Sequence, residues 1–286
     1  MLTTFQWGVN EYRSPCVFLL GGFDGIHLGH KKLLNFAKQF NLPVGMMTIL
    51  GGKGKTLFTP EERKTVFREE GLAFAYLLEF TDKLKNTERE GFLEDILNRF
   101  NVTAFVCGKD FRFGKGAQGT PDFIREYTNL PVYDLDIMNV EGKKISTSVI
   151  KERIVQGKIE EAQGLLSYPF FVSGRVEEGR KVGRRLGFPT ANMSYPAYKL
   201  LPREGVYGVH MVYDEKKYVG ICNVGACPTF GVEERRIESY FDGFHKTIYG
   251  ERIEVVFDSY LRDIQNFCNG EALVAQLEQD IRRVKQ

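Results

Sequence analysis

Apolar runs in the first half of the chain alternate with segments whose apolar residues recur at helical spacing. Four runs predict buried parallel strands: CVFLLGG (16–22), PVGMMTIL (43–50), FAYLLEF (74–80) and VTAFVCG (102–108). Helices are predicted over 30–40, where the apolar residues share one side, over 59–71, which has helix start and stop signals, and over 87–100. This alternation predicts a doubly wound α/β sheet, in which ligands bind beyond the carboxyl ends of the strands.

The pattern changes in the second half. Residues 147–167 predict a helix with one polar face, and Pro169 follows it. Short runs bounded by glycine and proline then predict the strands of an antiparallel β-barrel: FFVSGRV, GVYGVHMVY, KYVGICNVG, RIESYF and IEVVF. Residues 270–286 predict a terminal amphipathic helix. We therefore expect an α/β domain over 1–167 and a barrel domain over 168–286.

Composition narrows the classes of function. The 286 residues suit two domains, and 39 basic against 37 acidic residues give no reason to expect a nucleic-acid or membrane partner. No apolar run approaches the roughly 20 residues that span a bilayer. The N-terminus lacks the features of a signal peptide, and the five cysteines form no C-x-x-C pair. We expect a cytoplasmic protein with free thiols, whose oligomeric state the sequence leaves open.

Two glycine patterns imitate nucleotide-binding motifs. GGKGKT (51–56) ends like a P-loop, but Ile49 stands where that motif needs glycine. GKGAQG (114–119) fits G-x-G-x-x-G, but DFRF separates it from its strand. A nicotinamide-dependent oxidoreductase is therefore the least favoured alternative.

The segment GGFDGIHLGH (21–30) lies at a predicted strand-to-helix turn. A helix N-terminus offers unpaired N–H groups and a partial positive charge to phosphates. His27 and His30 are three residues apart, so both can project from one face of the first turn. Two imidazoles there can donate hydrogen bonds to oxygens whose charge grows as the α-phosphorus of ATP is attacked. A helix cap plus a surface histidine is the alternative interpretation.

The motif G-x-F-D-G-x-H-x-G-H resembles the H-x-G-H nucleotidylyltransferases, and specifically the adenylyltransferase domain of bacterial bifunctional FAD synthetases. CGKDFRFGKGAQG (107–119) resembles the second loop of that family. The resemblance implies that His27 and His30 are catalytic. It also implies a set of residues that face the nucleotide: Gly22, Phe23, Asp24, Gly25, Asp110, Ser146, Thr147 and Ser148. For Asp110, an ordinary turn residue is the alternative.

The chain departs from the pattern of that family at three places. TILGGKGKTLF (48–58) replaces an F-x-P-H-P stretch, Thr120 follows Gly119 where the family has Gly-Asp, and Val149 replaces an arginine expected to contact phosphate. Losing one charged hydrogen bond costs about 1.5–3 kcal/mol. Three lysines offer a partial substitute: Lys143, Lys144 and Lys151. These departures predict an adenylyltransferase that is slow, altered in substrate or vestigial.

SGRVEEGRKVGRRLGFPTANM (173–193) resembles the riboflavin kinase family, whose hallmark is G-R-x-L-G-F-P-T-A-N. Its glycines let backbone N–H groups approach phosphates, and its basic residues add positive charge. The expected ATP-binding residues are Gly174, Gly179, Lys181, Gly183, Arg184 and Gly187. Thr190 and Asn192 project to one side of an extended chain, where their neutral oxygens suit Mg²⁺.

The resemblance also assigns the base that accepts the proton of the attacking hydroxyl. It is Glu238 in RIESYFDGF (236–244), and such a base contributes about 10²–10⁴-fold. Strand alternation separates Glu238 from its neighbours, Ile237 and Ser239. Glu233 and Glu234, in a predicted loop, are weaker candidates. By the same resemblance Arg262 in LRDIQNF (261–267) lies near the flavin.

The sequence thus predicts an enzyme of FAD biosynthesis that binds ATP, riboflavin and FMN, with Mg²⁺ as cofactor. The C-terminal module would phosphorylate riboflavin to FMN, and the N-terminal module would adenylylate FMN to FAD. Two alternatives stay open. One is a monofunctional riboflavin kinase with a degenerate adenylyltransferase domain, and the other is a non-catalytic, flavin-binding regulatory protein.

Overall fold

The chain divides into two compact units, Met1–Thr147 and Ser148–Gln286, called here the N-terminal and C-terminal units. The domain boundary that the sequence places near residue 167 stays a prediction. The computed structural model describes residues 5–52, 54–136, 139–140, 143–179, 183, 186–229 and 232–286, with the backbone alone at 143, 226–229 and 232–235.

A six-stranded sheet forms the centre of the N-terminal unit. Its strands are β1 (Gln6–Trp7), β2 (Tyr12–Leu19), β3 (Val44–Leu50), β4 (Phe74–Glu79), β5 (Phe100–Gly108) and β6 (Val132–Leu135). They lie in the order β1-β4-β3-β2-β5-β6, and every neighbouring pair is parallel. Because β2 has β3 on one side and β5 on the other, the order reverses at β2. A crevice for ligands opens at such a reversal, and the predicted doubly wound α/β sheet is confirmed.

The first, second and fourth helices of this unit were predicted from the sequence, and the third and fifth were not. They are α1 (Leu28–Lys38), α2 (Pro60–Glu69), α3 (Asp82–Lys85), α4 (Arg89–Arg99), a 3₁₀ turn (Lys115–Ala117) and α5 (Pro121–Thr128). At α2 the Thr59 hydroxyl accepts from the Glu62 N–H at 3.3 Å, and the Glu62 carboxylate accepts from the Thr59 N–H at 2.7 Å. This reciprocal capping satisfies the first free N–H groups of the helix. A short hairpin follows later, formed by β7 (Asn139–Val140) and β8 (Lys143–Lys144).

The C-terminal unit is a closed barrel preceded and followed by helices. Its elements are α6 (Thr147–Val155), α7 (Ile159–Gln163), β9 (Phe171–Glu177), β10 (Ala191–Ser194), β11 (Gly205–Tyr213), β12 (Lys216–Thr229), β13 (Val232–Phe241), β14 (Arg252–Arg262) and α8 (Gly270–Val284). All barrel pairs are antiparallel, in the order β10-β13-β12-β11-β14-β9. Leu277, Ile281 and Val284 of α8 pack in one cluster with barrel residues such as Val206 and Leu261. The predicted barrel with its terminal helix is confirmed.

Several short elements were not predicted from the sequence, namely β1, β6, β7, β8, α3 and α5, and two further differences lie in the C-terminal unit. The helix predicted over 147–167 is split into α6 and α7, and Gly157 between them has φ +78°. A Cβ at Gly157 would lie 2.7 Å from Arg203 Nε, so glycine both permits the turn and admits the arginine. Strand β10, which has four residues, pairs with β9 and β13 and closes the barrel, was not among the predicted strands, although extended chain was expected at Thr190 and Asn192. Within the described part of the chain, no helix is long and apolar enough to cross a membrane.

Candidate active sites

A cavity of about 450 Å³, the N-terminal cavity, opens beyond the carboxyl ends of β2, β5 and β6. Its wall therefore lies where the strand order of the sheet reverses. Seven of the predicted site residues line it: Gly22, Phe23, His27, His30, Asp110, Ser146 and Thr147. Sequence reasoning did not single out Arg112 and Asp136, which lie on the same wall just after β5 and β6.

The two histidines are held by backbone groups at the start of α1. His27 is the N-cap residue, and its Nδ1 accepts from the His30 N–H at 3.2 Å. His30 Nδ1 lies 3.0 Å from the carbonyl oxygen of Gly25, which can only accept, so this nitrogen carries the proton. In neutral His27, by contrast, the proton is on Nε2. The two rings stack with their centroids 3.5 Å apart.

Burial keeps both rings neutral at pH 7. Burial, with a contribution from the Lys144 ammonium, lowers the pKa of His27 to about 4. Burial and the adjacent His27 lower the pKa of His30 well below its usual value. Neutral His27 can donate from Nε2, whereas Nε2 of neutral His30 can only accept. This differs from the expectation that both imidazoles donate to phosphate.

Asp24 lies behind the glycine loop and does not belong to the cavity wall. Its carboxylate pairs with Arg63 Nη2 at 2.6 Å and accepts from the Leu57 N–H at 3.0 Å. The Arg63 side chain is only 3% exposed and also donates to the hydroxyls of Thr48, at 2.9 Å, and Thr56, at 2.7 Å. The structure thus places Asp24 where it fastens the unusual 48–58 stretch to the histidine loop.

Phe23 and Gly25 give the loop its sharp turn. Phe23 has φ +43°, its ring is buried, and its carbonyl accepts from the Thr48 hydroxyl at 3.1 Å. Gly25 has φ +131°, and a Cβ there would lie 2.7 Å from a ring carbon of Phe58. A non-glycine residue with positive φ is strained, and such strain persists where the surroundings fix it. The result is a rigid entry into α1 that sets the direction of His27.

The other departures from the family pattern have clear structural settings. The Thr120 hydroxyl accepts from the Phe123 N–H at 3.1 Å as the N-cap of α5, a role that threonine and aspartate both fill well. Ser148, which is exposed, and Val149 belong to the first turn of α6, next to Thr147. Lys144 Nζ donates to the Asp110 carboxylate, and both residues line the N-terminal cavity.

In the C-terminal unit, strand pairing brings predicted residues together. Asn192 on β10 is directly opposite Glu238 on β13 and Glu177 on β9. Glu238 is also directly opposite Asn223 on β12. Directly opposed residues project to the same face of a sheet, so these four side chains form one polar row. Glu238 is half-buried, while Ser239 beside it is fully buried, as strand alternation predicts.

A second cavity, the C-terminal cavity, has a volume of about 220 Å³ and is lined by Gly179, Thr190 and Asn192. A Cβ at Gly179 would lie 2.3 Å from Asn192 Nδ2, so the amide can take this position only against a glycine. Tyr249 belongs to IYG (248–250), which resembles the riboflavin kinase family. Sequence reasoning did not single out the other polar or aromatic residues on that stretch of the lining: Phe244, His245, Lys246 and Thr247. The family-like IYG at 248–250 was the signal that could have found them.

The remaining predicted phosphate-binding residues have varied settings. Gly174 lies within β9, where a Cβ would be 2.2 Å from the carbonyl oxygen of Ser194, so it serves close strand packing. The carbonyl of Gly183 accepts from the Phe188 N–H at 2.8 Å in the turn before Thr190. Gly187 has φ +84°. Lys181 and Arg184 lie outside the described residues.

Two further predictions concern β13 and β14. The structure places Glu233 and Glu234 within β13 and not in a loop, and their side chains lie outside the description. Arg262 ends β14 and forms a two-pronged pair with Asp280 of α8, at 3.0 Å from Nε and 2.8 Å from Nη2. Both partners are largely buried, at 14% and 5% exposure. Arg262 thus ties α8 to the barrel.

Comparison with known proteins gives matches over both units. The family model described as FAD synthetase matches residues 9–149, and that of riboflavin kinase matches residues 166–286. A bifunctional riboflavin kinase/FMN adenylyltransferase of Listeria monocytogenes is 32% identical, covering 98% of this chain and 93% of the relative. Proteins of the same name from Bacillus subtilis and Escherichia coli are 31% and 30% identical, covering 95% and 94% of this chain and 92% and 91% of the relatives.

A solved structure matches along almost the whole chain. It is described as a macrolide-efflux protein from Streptococcus pneumoniae and has a TM-score of 0.86 at 30% identity, covering 96% of this chain and 94% of that chain. The family models and the curated relatives agree on one family and extend over both units. The chain therefore belongs to the bifunctional riboflavin kinase/FMN adenylyltransferase family.

Proposed function

We propose that this chain makes FAD from riboflavin in two ATP-dependent steps, each performed by its own unit. The C-terminal unit transfers the γ-phosphoryl group of ATP to riboflavin, and the N-terminal unit joins the resulting FMN to the AMP part of a second ATP. The observation that carries this proposal is that each unit has its own cavity, with His27 and His30 on the wall of one and Thr190 and Asn192 on the wall of the other. Glu238 lies outside that lining, directly opposite Asn192.

For the kinase step, Glu238 is the group that orients the ribityl hydroxyl and accepts its proton. Its position directly opposite Asn192 supports this role, because the base and the phosphate-binding side then share one face of the barrel. The hydroxyl of Thr190 and the amide oxygen of Asn192 suit Mg²⁺, which takes few protein ligands and prefers oxygen. The space that Gly179 leaves for the Asn192 amide supports that fit. When bound, Mg²⁺ would neutralise phosphate charge.

For the adenylylation step, the phosphate of FMN attacks the α-phosphorus of ATP, and the bond to pyrophosphate breaks. His27 donates from Nε2 to an α-phosphate oxygen, whose negative charge grows in the transition state. Support comes from its capping bond, which fixes the proton on the nitrogen that is free to donate. Gly22 and Ser146 on the same wall present further backbone and hydroxyl groups to the nucleotide.

Val149 favours a second candidate, a monofunctional riboflavin kinase, because no guanidinium is available at that position. One chromatographic assay separates the candidates. The pure protein is incubated with Mg²⁺-ATP and either riboflavin or FMN, and the three flavins are resolved. FMN from riboflavin and FAD from FMN would support both steps. FMN that accumulates without FAD would support riboflavin kinase activity only. Flavin binding without either product would favour the regulatory protein.

The partners of the proposed enzyme are small molecules, namely ATP, riboflavin and FMN. A cytoplasmic location follows from the sequence alone and stays a prediction.

A further inference from the structure

An ion pair lies on the wall of the N-terminal cavity beside the histidines. Lys144 Nζ donates to Asp110 Oδ2, and the two side chains are 50% and 48% exposed. Ile145, which follows Lys144, is buried, and Ser146 and Thr147 continue the wall. The lysine therefore projects from a fixed point of the backbone, next to hydroxyls that face the same cavity.

The charges on this wall cancel in the absence of substrate. The formally charged side chains among its described residues are Asp110, Asp136, Arg112 and Lys144, two of each sign. Both imidazoles are neutral at pH 7, because burial lowers the pKa of His27 and of His30. A triphosphate entering this cavity needs a cation that can turn toward it.

Lys144 is better placed than Arg112 to supply that cation. Arg112 is exposed, and its Nη1 donates to the backbone carbonyls of Phe111, at 2.8 Å, and Lys109, at 3.2 Å. Lys144 is held by a half-exposed carboxylate, and pairs of this kind are weak. Its charge already acts on His27, so the ammonium is within electrostatic range of the group proposed to donate to the α-phosphate.

We infer that Lys144 is the phosphate-binding cation of the adenylyltransferase and that it exchanges Asp110 for the phosphates of ATP. In the empty site Asp110 holds the ammonium at the wall. When ATP binds, the more highly charged phosphates replace the carboxylate as the partner of Lys144. The inference rests on the proposed adenylylation of FMN and names the residue that compensates for Val149.

The test compares Lys144→Met and Lys144→Arg with the unchanged protein. We expect Lys144→Met to raise the KM for ATP in FMN adenylylation about tenfold or more, as loss of a charged hydrogen bond does. Lys144→Arg keeps the charge and should stay within about threefold of the unchanged protein. Added salt should narrow the gap between the unchanged protein and Lys144→Met, since screening weakens the lost interaction.

Two controls make the result specific. Lys115→Met removes another exposed lysine of the same unit, paired with Glu88 at 3.1 Å and outside the cavity lining, and should leave the KM unchanged. Riboflavin phosphorylation by the same preparations should also keep its KM for ATP.

The outcomes separate this inference from the function on which it rests. If the protein without any substitution makes no FAD from FMN, both the role of Lys144 and the proposed adenylylation are overturned. An active protein whose KM for ATP is the same in Lys144→Met would overturn the role of Lys144 alone. If Lys144→Met impairs both activities, Lys144→Arg decides: normal adenylylation supports the inference, and a tenfold rise in KM overturns it.

Discussion

The two cavities of this protein are built on opposite principles, although ATP is the proposed substrate of both. In the N-terminal unit, backbone groups at a helix start hold His27 and His30 in buried, neutral forms, so the site offers an N–H donor. In the C-terminal unit, strand pairing places the oxygens of Asn192 and Glu238 side by side on a half-exposed face. A donor suits a developing charge on an attacked phosphate, and oxygens suit a metal ion and a proton. The difference indicates that each unit can be disabled separately.

Replacing Glu238 should separate the two activities more strongly than any other substitution. We expect Glu238→Gln to lower kcat for riboflavin phosphorylation by about 10²-fold or more, because a general base contributes 10²–10⁴-fold. FMN adenylylation by the same preparation should be unchanged. Steady-state assays of both reactions check this, and equal loss of both would contradict the assignment of separate sites.

Glu177 provides a matched control for Glu238. It is directly opposite Asn192 on the other side, in β9, but it is exposed where Glu238 is half-buried. Its carboxylate is therefore better solvated, and Glu177→Gln should change kcat less than about threefold. A larger loss of kcat in Glu177→Gln than in Glu238→Gln would identify Glu177, and not Glu238, as the base.

The next largest effect is expected on FMN adenylylation in the N-terminal unit. His27→Asn should lower kcat for FMN adenylylation by about 10²–10³-fold, the usual loss when one donor to a developing charge is removed. The kinase should be unaffected. His210→Asn is the control, because His210 lies on a barrel strand and pairs with Asp258 at 2.7 Å. Kinase activity that falls with adenylylation in His27→Asn would show that the two units do not act independently.

A smaller effect is expected where the C-terminal site depends on close packing. In Gly179→Ala the added Cβ would lie 2.3 Å from Asn192 Nδ2 and displace the amide. We expect the Mg²⁺ concentration for half-maximal kinase activity to rise about tenfold, the cost of one polar contact. Gly164→Ala, whose new Cβ meets atoms no nearer than 3.7 Å, should not change it. An unchanged Mg²⁺ requirement in Gly179→Ala would show that Asn192 does not bind the metal.

Sequence patterns predicted most of the fold because the elements of both units carry local signals. The capping residues Thr59, Glu62 and Asn269 stand where helices begin, and GVYGVHMVY matches β11 at both ends. The missed strand β10 has only four residues and is partly polar, so no periodicity marks it. The break between α6 and α7 coincides with Gly157, a helix-ending glycine at φ +78° that the sequence prediction passed over. Its contact with Arg203 could not be foreseen, because that residue is distant in sequence.

The sites were predictable to the extent that neighbouring residues define them. The pair His27 and His30 lies in one motif, but the proton positions depend on which carbonyl faces each ring nitrogen. The motif likewise contains Asp24, whereas its partner Arg63 comes from the next helix, 39 residues on. Contacts across such distances follow from the strand order, which the local pattern does not specify.

The smallest expected effect is a pH dependence that should be nearly absent. His27 has a pKa lowered to about 4, so it is neutral at pH 6 and at pH 8, and it loses its capping bond only when protonated in more acidic solution. Mg²⁺-ATP itself titrates in this range, but the kinase of the same chain uses the same substrate. The phosphate of FMN also titrates at about pH 6, so the ratio of kcat/KM for ATP in adenylylation to that in phosphorylation is compared between the unchanged protein and His27→Asn. The two profiles should differ in shape by less than about twofold between pH 6 and 8, since kcat/KM reports groups of the free enzyme. A midpoint near the ordinary histidine pKa of about 6.5 that is present in the unchanged protein and absent from His27→Asn would mean that His27 is solvated in the free enzyme. The N-terminal site would then not be built on a buried, neutral donor, and its contrast with the half-exposed oxygens of the C-terminal site would be wrong.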